Sequence, residues 1–262
     1  MCRPSATFAV WSSAWLNGAA ASDDVLDALL AWGEAHDVVA ADAAAFALPL
    51  AFNRAATPVQ LLMALRSQRA KSLHLVLPVP GDVRGLGGGG PFTEAALRAG
   101  DALVLPDLGF GLVPEPIAEG LVRWTVYSLP SPTTPEYVPL GEAEHGLTDA
   151  IRASAGALQT LDVASDRPGV RAELSAHLRS RPDVDWPAGT PGRALRVLQR
   201  AEEIAAILAI ASSDEPGGAL SASASTLRAQ ALRPLSDAVR TARCAAVDEA
   251  VRAFAEQTAR EG

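Results

Sequence analysis

Apolar residues recur at helical spacing near the start of the chain and predict three helices there. The first helix is predicted by spacings of three and four between Phe8, Trp11 and Trp15. The second is predicted by spacings of four, three and four between Val25, Leu29, Trp32 and His36. It would run from Ser22, a favoured N-cap, to His36. A third helix is expected to open at Thr57-Pro58 and to continue to about Ala70.

The strands predicted next are short runs of β-branched, aromatic and leucine residues. They cover Leu73–Val79, Ala102–Leu105 and Leu121–Leu129. A glycine-rich loop, Gly85–Gly90, lies between the first two runs. A short helix, about Phe92–Ala99, follows this loop and is expected to end at Gly100.

Helical spacing without any strand pattern characterises the second half of the chain. Three long helices are predicted by repeats of four and three at Leu147, Ile151, Ser154, Leu158 and Leu161; at Val197, Ala201, Ile204, Leu208 and Ala211; and at Leu235, Val239, Ala242, Ala246 and Ala253. Because such positions form a core, Leu158→Ala and Leu208→Ala are each expected to cost about 2–5 kcal/mol. Pro216–Gly218 predicts a break, and Pro234 should start a helix or kink one.

These elements predict an α+β fold with a small mixed or antiparallel sheet in the N-terminal half. Residues 1–140 form an α/β part with three to four strands, and residues 141–262 form an all-helical part. Prolines between residues 130 and 139 could mark a linker between two domains. A sheet has two faces to bury, however, and the first half offers few helices. We therefore expect the C-terminal helices to pack on the sheet in one compact unit.

Charge excludes one class of function. The chain has 22 basic and 30 acidic residues, a net charge of −8, and its basic residues are arginines except for Lys71. Nucleic-acid binding needs a basic footprint, so we predict no nucleic-acid partner. Arg193, Arg196 and Arg200 share one predicted helix, but Glu202 and Glu203 follow directly, which is typical of a solvated face with ion pairs.

Targeting and cysteine patterns favour a cytoplasmic protein that is not associated with a membrane. Residues 7–21 are mostly apolar, but serines and an asparagine interrupt them and only Arg3 precedes them, so export is not expected. The apolar stretch Val38–Phe52 is too short to span a bilayer. Cys2 and Cys244 alone make neither a disulfide framework nor a metal site.

The most suggestive stretch for ligand binding surrounds the glycine-rich loop. The element Leu-Val-Leu-Pro occurs at residues 75–78 and 103–106, each time followed by an aspartate. If the two strands were parallel, both aspartates would emerge at one edge of the sheet, and the loop would deliver backbone N–H groups to a phosphate-type anion. The residues of this hypothetical site are Asp82, Arg84, Gly87, Gly88, Gly89 and Asp107. A glycine loop that merely joins two antiparallel strands explains the same residues without any ligand.

The remaining candidates for catalysis give weaker signals. His36, His74, His145 and His177 have no metal-ligand spacing, so we predict no metal and no cofactor. A Ser-His-Asp triad could form between distant residues, but no G-x-S-x-G motif nominates a serine. Each histidine is therefore expected to be a packing or surface residue.

Four segments carry a resemblance to a known family. They are Leu77–Asp82, Pro91–Gly100, Arg123–Tyr127 and Thr190–Leu195. With these segments the chain resembles a family of conserved hypothetical proteins of actinobacteria over most of its length. The resemblance implies a lineage, in keeping with the excess of arginine over lysine, and it implies no site residues.

Two hypotheses for function follow. The first is a non-catalytic interaction or regulatory protein, whose alanine-lined helical half suits a protein partner or self-association. The second is a small-molecule or phosphate-anion binding protein or an enzyme, with its site at the loop 85–90. We favour the first because no catalytic motif stands out.

Overall fold

Among the described residues, the first half of the chain contains both helices and strands, and the second half contains helices alone. The computed structural model describes residues 3–42, 55–129, 136–160, 169–180, 182–213 and 222–261. The elements of the first half are α1 (Pro4–Leu16), α2 (Ser22–Leu30), β1 (Ala35–Ala40), α3 (Pro58–Ser67), β2 (His74–Val76), α4 (Pro91–Ala99), β3 (Ala102–Leu105), β4 (Phe110–Ala118) and β5 (Leu121–Ser128). Those of the second half are α5 (Leu140–Thr160), α6 (Val170–Arg179), α7 (Gly192–Ser213) and α8 (Ala222–Glu261). The predicted α+β class is confirmed.

The chain divides into two compact units. The helical unit contains Val138–Arg181 and Gly192–Ala246. The α/β unit contains Cys2–Tyr137, Pro182–Pro191 and Val247–Gly262, so it includes the C-terminal end of α8. The division into residues 1–140 and 141–262, joined in one compact body, stays a prediction.

One mixed sheet of five strands forms the centre of the α/β unit, in the order β1-β5-β4-β3-β2. The pair β1 and β5 is parallel, with Val38 opposite Trp124. The other three pairs are antiparallel. The prediction of a small mixed or antiparallel sheet is thus confirmed. The described residues form five strands, whereas three to four were expected.

Strand β4 lies in a segment where two prolines hide it from pattern analysis. Pro114 and Pro116 lie opposite Trp124 and Val122 of β5. The pairing of β4 with β3 ends at Leu112, so among the described strands only β5 pairs with β4 at both prolines. A proline lacks the N–H of a central strand and is tolerated where no ladder bond is needed. The strand therefore forms although its sequence reads as a loop.

The predicted helix from Ser22 to His36 is wrong at its C-terminal end. Helix α2 ends at Leu30, its N-cap is Ala21, and His36 lies in β1. Between these elements the chain passes tightly against the turn before β5, because a Cβ at Gly33 would lie 2.9 Å from the carbonyl oxygen of Gly120. The spacing continued to His36 because the side chains of helix and strand point towards the same core.

Helices α1 and α4 pack on opposite faces of the sheet. On the α1 face, Phe8 and Trp124 are fully buried with ring centroids 4.9 Å apart. On the α4 face, the ring of Phe92 lies 6.0 Å from that of Tyr127. The core beneath α4 comprises Val76, Leu86, Phe92, Ala95, Ala96, Ala102, Val104 and Val113.

Gly111 of β4 provides the space that Phe92 occupies, and we predict that this position tolerates no side chain. A Cβ at Gly111 would lie 2.3 Å from Cε2 of Phe92, which is 3% exposed. Gly111→Ala should therefore lower the free energy of unfolding by about 1–3 kcal/mol through overpacking. Gly146→Ala is the control, because nothing lies within 4 Å of its Cβ position and Gly146 is in helix α5. It should stabilise by up to about 1 kcal/mol. Equal effects of the two variants in urea denaturation would contradict the packing argument.

In the helical unit, the predicted faces are buried at Leu147, at Val197 and Ala201, and at Val239 and Ala242. Leu158 and Leu208 are only half-buried. Leu158→Ala and Leu208→Ala are therefore each expected to lower the free energy of unfolding by about 2 kcal/mol or less, which is the lower end of the range expected from the sequence. Pro234 lies inside α8 and does not start a helix. Leu161 and the predicted break at Pro216–Gly218 lie outside the described residues.

No helix among the described residues combines the length and the apolar character that crossing a bilayer requires.

Candidate functional sites

Strands β2 and β3 are antiparallel, with His74 opposite Val104. The hypothetical anion site required parallel strands that bring Asp82 and Asp107 to one edge of the sheet, and this requirement is not met. The C-terminal ends of the two strands lie at opposite edges of the sheet. Asp82 follows the end of β2, whereas Asp107 is exposed in the turn between β3 and β4. The repeated Leu-Val-Leu-Pro element therefore does not mark two equivalent strands.

Asp82 and Arg84 come together, but as an ion pair that includes a third residue. Arg84 donates through Nε and Nη2 to the two carboxylate oxygens of Asp82, at 2.9 and 3.0 Å. Its Nη1 donates to Glu136 at 3.0 Å. The hydrogen bonds with Asp82 and the charge of Asp82, followed by the charge of Glu136, raise the pKa of Arg84 above its usual range. Two carboxylates thus face one guanidinium, which disfavours an incoming anion.

The glycines of the loop mainly serve its backbone conformation. Gly87 and Gly88 have φ of +79° and +116°, a region that glycine adopts without strain. The carbonyl oxygen of Gly88 accepts a hydrogen bond from the Thr93 hydroxyl. No atom would meet a Cβ within 4 Å at Gly88 or Gly89, so solvent can reach this backbone. The connector interpretation accounts for these contacts, and ligand binding here stays a prediction.

A constellation that sequence analysis did not nominate lies at the edge strand β2. Nε2 of His74 is 3.1 Å from the Ser72 hydroxyl, and Nδ1 of His74 is 3.2 Å from the Asp248 carboxylate. Ser72 belongs to the segment before β2, and Asp248 lies on α8. All three belong to the α/β unit. We call them the Ser72–His74–Asp248 cluster.

The cluster fixes the protonation pattern of the imidazole. A carboxylate only accepts, so Nδ1 of His74 carries the hydrogen that Asp248 receives. In the neutral ring, Nε2 is then the acceptor for the Ser72 hydroxyl. The order hydroxyl, imidazole and carboxylate is that of a nucleophile, a general base and an orienting group. Ser72 and His74 share a face because extended residues alternate with a period of two, a signal present in the sequence. Asp248 is 174 residues away from His74 and has no such signal.

His36 is a packing residue, as predicted, although in a strand. Its Nδ1 accepts a hydrogen bond from the indole N–H of Trp124 at 3.1 Å, and its Nε2 bonds the carbonyl oxygen of Leu29 at 2.8 Å. The ring is therefore neutral, with its hydrogen on Nε2. Burial lowers the pKa of His36 from its ordinary value of 6.5, against the smaller raising effects of the Leu29 and Gly33 carbonyls.

We predict that stability decreases when His36 is forced to take up a proton. Because its pKa is lowered in the folded state, its contribution is fully present above the ordinary value of 6.5 and is lost as the pH falls below it. His36→Gln keeps an acceptor for Trp124 and a donor for Leu29 but cannot titrate. Urea denaturation from about pH 7 to about pH 5 should show a smaller loss of stability for His36→Gln than for the wild type. Parallel curves would contradict this role.

The helical unit contains a groove of about 300 Å³ between α5 and α7. This α5–α7 groove is lined by Glu144, Leu147, Arg196, Val197, Gln199, Arg200 and Glu203. Leu147 and Val197 form its apolar floor and are 1% and 3% exposed. The polar residues stand at its rim. Arg193, the first member of the predicted arginine face, pairs with Glu144 at 2.8 Å.

The fold and these sites define an α+β protein with a five-stranded mixed sheet and a separate helical unit. Family models described as the Rv1486c-like protein, N-terminal domain, and the Rv1486c-like protein, C-terminal domain, match residues 5–138 and 141–244. The chain therefore belongs to the Rv1486c-like protein family, and the predicted actinobacterial lineage is confirmed.

Three mycobacterial relatives are similar to the chain over nearly its whole length. The uncharacterised protein Rv1486c of Mycobacterium tuberculosis is 39% identical over 94% of this chain and 96% of its own. The uncharacterised protein ML1804 of Mycobacterium leprae is 35% identical over 95% and 97%. The uncharacterised protein MAV321 of Mycobacterium avium is 33% identical over 94% and 97%. No solved structure matches the chain.

Proposed function

We propose that this protein acts in the cytoplasm as an interaction or regulatory protein that binds another protein through its helical unit. The α5–α7 groove is the observation that carries the proposal. A groove between two helices with an apolar floor and a charged rim suits an inserted protein element. The partner that the groove chemistry favours is a second copy of this chain.

Mixed charge at the rim supports self-association. Arg196 and Arg200 stand beside Glu203 on α7, and Glu144 stands opposite on α5. In a two-fold symmetric contact, the same patch faces itself, so a patch with both signs can pair with its own copy. A patch of one sign would repel its copy.

An exposed isoleucine extends the same surface. Ile207 is 46% exposed and lies four residues beyond Glu203, so it continues the line of the rim along α7. Large apolar side chains beside arginines are typical of the centre of a protein interface. Ile207 therefore offers apolar area that a second copy could bury.

The experiment is analytical ultracentrifugation of the full chain over a concentration series. We expect a dimer whose dissociation constant rises at least about tenfold in Arg196→Glu/Arg200→Glu, because like charges then face each other. The variant Arg200→Glu/Glu203→Arg exchanges two charges and keeps both signs at the rim, so it should retain much of the wild-type association. Arg260→Glu is the control, since Arg260 is exposed at the end of α8 and outside the helical unit. A wild type that remains monomeric up to about 0.1 mM would overturn the proposal.

The alternative function is anion binding at the loop 85–90, favoured by the open backbone at Gly88 and Gly89. Phosphate should then raise the melting temperature with concentration, and Arg84→Ala should weaken this shift. Because Asp82 and Glu136 already neutralise Arg84, we expect no shift with phosphate, sulfate or nucleotides. A saturable shift that is lost in Gly88→Val would establish the anion site instead.

A further inference from the structure

Beyond the proposed interaction, we infer that the α/β unit carries a nucleophilic serine site for acyl transfer, built from Ser72, His74 and Asp248. The inference uses no residue of the α5–α7 groove, so either proposal can fail without the other. Its basis is the continuous chain of contacts from the Ser72 hydroxyl through both ring nitrogens of His74 to the Asp248 carboxylate, at 3.1 and 3.2 Å.

Within this chain of contacts, the Asp248 carboxylate is more deeply buried than the His74 imidazole. The Asp248 side chain is 11% exposed and the His74 side chain is 26% exposed. Ser72 is half-buried in the extended segment that precedes β2. A largely buried carboxylate holds the imidazole in one tautomer and stabilises the imidazolium that forms during reaction, while the hydroxyl must remain accessible to substrate.

The location of the site supports access for a small substrate. Among the residues that the structure describes, β2 is the last strand of the sheet, and no described strand lies on its outer side. Asp248 reaches it from α8, which supplies the orienting group from a different element. Serine nucleophiles activated by a histidine attack carbonyl carbon, so the substrate class is an acyl ester.

The reaction step balances without any cofactor. The Ser72 oxygen bonds to the carbonyl carbon of the ester as His74 Nε2 takes the hydroxyl proton. The bond to the alcohol oxygen then breaks, and the departing oxygen receives that proton from His74. Water, deprotonated by His74 in turn, then bonds through its oxygen to the acyl carbon. The bond from that carbon to the Ser72 oxygen breaks, the acid is released, and His74 returns the proton to Ser72. Asp248 is a positioning residue throughout.

The same contacts could serve only to connect β2 to α8, and covalent labelling separates the two roles. A fluorophosphonate probe forms a bond from phosphorus to the Ser72 oxygen and releases fluoride, while His74 takes the proton. Intact-mass spectrometry of the full chain should show one adduct, and peptide mapping should locate it at Ser72. Ser72→Ala should abolish the adduct, whereas Ser67→Ala should not, because the Ser67 hydroxyl donates to the Ala64 carbonyl oxygen in α3.

Two further variants test how the serine is activated. His74→Gln should slow labelling at least about 100-fold, the usual contribution of a general base. Asp248→Asn should also slow labelling, although Ser72 remains in place. If His74→Gln does not fold, the labelling rate of Asp248→Asn tests whether the serine is activated. Tryptophan fluorescence monitors folding in each case. The same variants should slow hydrolysis of p-nitrophenyl acetate. An unlabelled wild type, an adduct at another serine, or labelling that His74→Gln and Asp248→Asn leave unchanged in folded protein would overturn the inference.

Discussion

Glu202→Ala and Arg243→Ala are each expected to lower the free energy of unfolding by about 3–5 kcal/mol. Nε of Arg243 lies 2.8 Å from Oε1 of Glu202, and the two side chains are only 10% and 8% exposed. Both residues belong to the helical unit, on α8 and α7. Removing one partner leaves the other as a buried charge that has lost the counter-charge of this ion pair. The large effect therefore comes from the charge that remains rather than from the strength of the pair.

A matched replacement and an exposed pair test this explanation. Glu202→Leu/Arg243→Met removes both charges and keeps apolar volume, so it should be near neutral or stabilising. Arg193→Ala removes a pair at 2.8 Å whose side chains are 57% and 44% exposed, and it should cost less than about 1 kcal/mol. If the double replacement is as unstable as either single variant, lost packing and not an isolated charge is responsible.

The two units can be followed separately in these measurements. All five tryptophans, Trp11, Trp15, Trp32, Trp124 and Trp186, belong to the α/β unit. Far-ultraviolet circular dichroism also reports the helices of the helical unit. Urea denaturation of the Glu202 and Arg243 variants should therefore shift the circular dichroism transition. Comparison of this transition with the transition in tryptophan fluorescence shows whether the α/β unit unfolds at the same urea concentration as the helical unit.

The sequence predicted α3 and α4 well because their apolar spacing and their end signals agree, whereas α6 (Val170–Arg179) was not predicted. Thr57 caps α3 by accepting a hydrogen bond from the N–H of Gln60, and Gly100 ends α4 with φ of +62°. Strands β1 and β4 were missed for physical reasons. β1 continues the apolar spacing of α2. β4 contains Pro114 and Pro116, which lie beyond Leu112, where the pairing of β4 with β3 ends. Local patterns contain no information on which neighbour a strand will have.

Contacts across the chain determined which candidate sites formed, and these were beyond reach of the sequence. Glu202 follows the arginines of α7 and was assigned to a solvated face, yet it is buried against Arg243. Asp82 and Arg84 were placed together in a hypothetical anion site, but they form an ion pair that Glu136 joins from 52 residues away. Ser72 and His74 could have been paired from their spacing of two. Asp248 could not, since only the packing of α8 within the α/β unit brings it to β2.

Trp124 is the position in the α/β unit where truncation should cost most. Its side chain is fully buried, its ring packs on Phe8, and its N–H donates to His36. Trp124→Ala should lower the free energy of unfolding by about 3–5 kcal/mol, since it leaves a cavity beneath α1 and removes the donor for His36. Urea denaturation followed by the remaining four tryptophans measures this change.

Trp124→Phe separates the ring from its hydrogen bond. Phenylalanine retains most of the apolar contact with Phe8 but leaves Nδ1 of His36 without its donor, so it should cost about 1–3 kcal/mol. Without an N–H opposite Nδ1, protonation of His36 meets less opposition, and the loss of stability at low pH should become shallower than in the wild type. Trp11→Ala is the control, because Trp11 is half-buried and bonds the carbonyl oxygen of Asp185 at 2.9 Å. A Trp124→Phe variant with wild-type stability and an unchanged pH profile would show that the indole N–H contributes nothing and that packing alone accounts for this position.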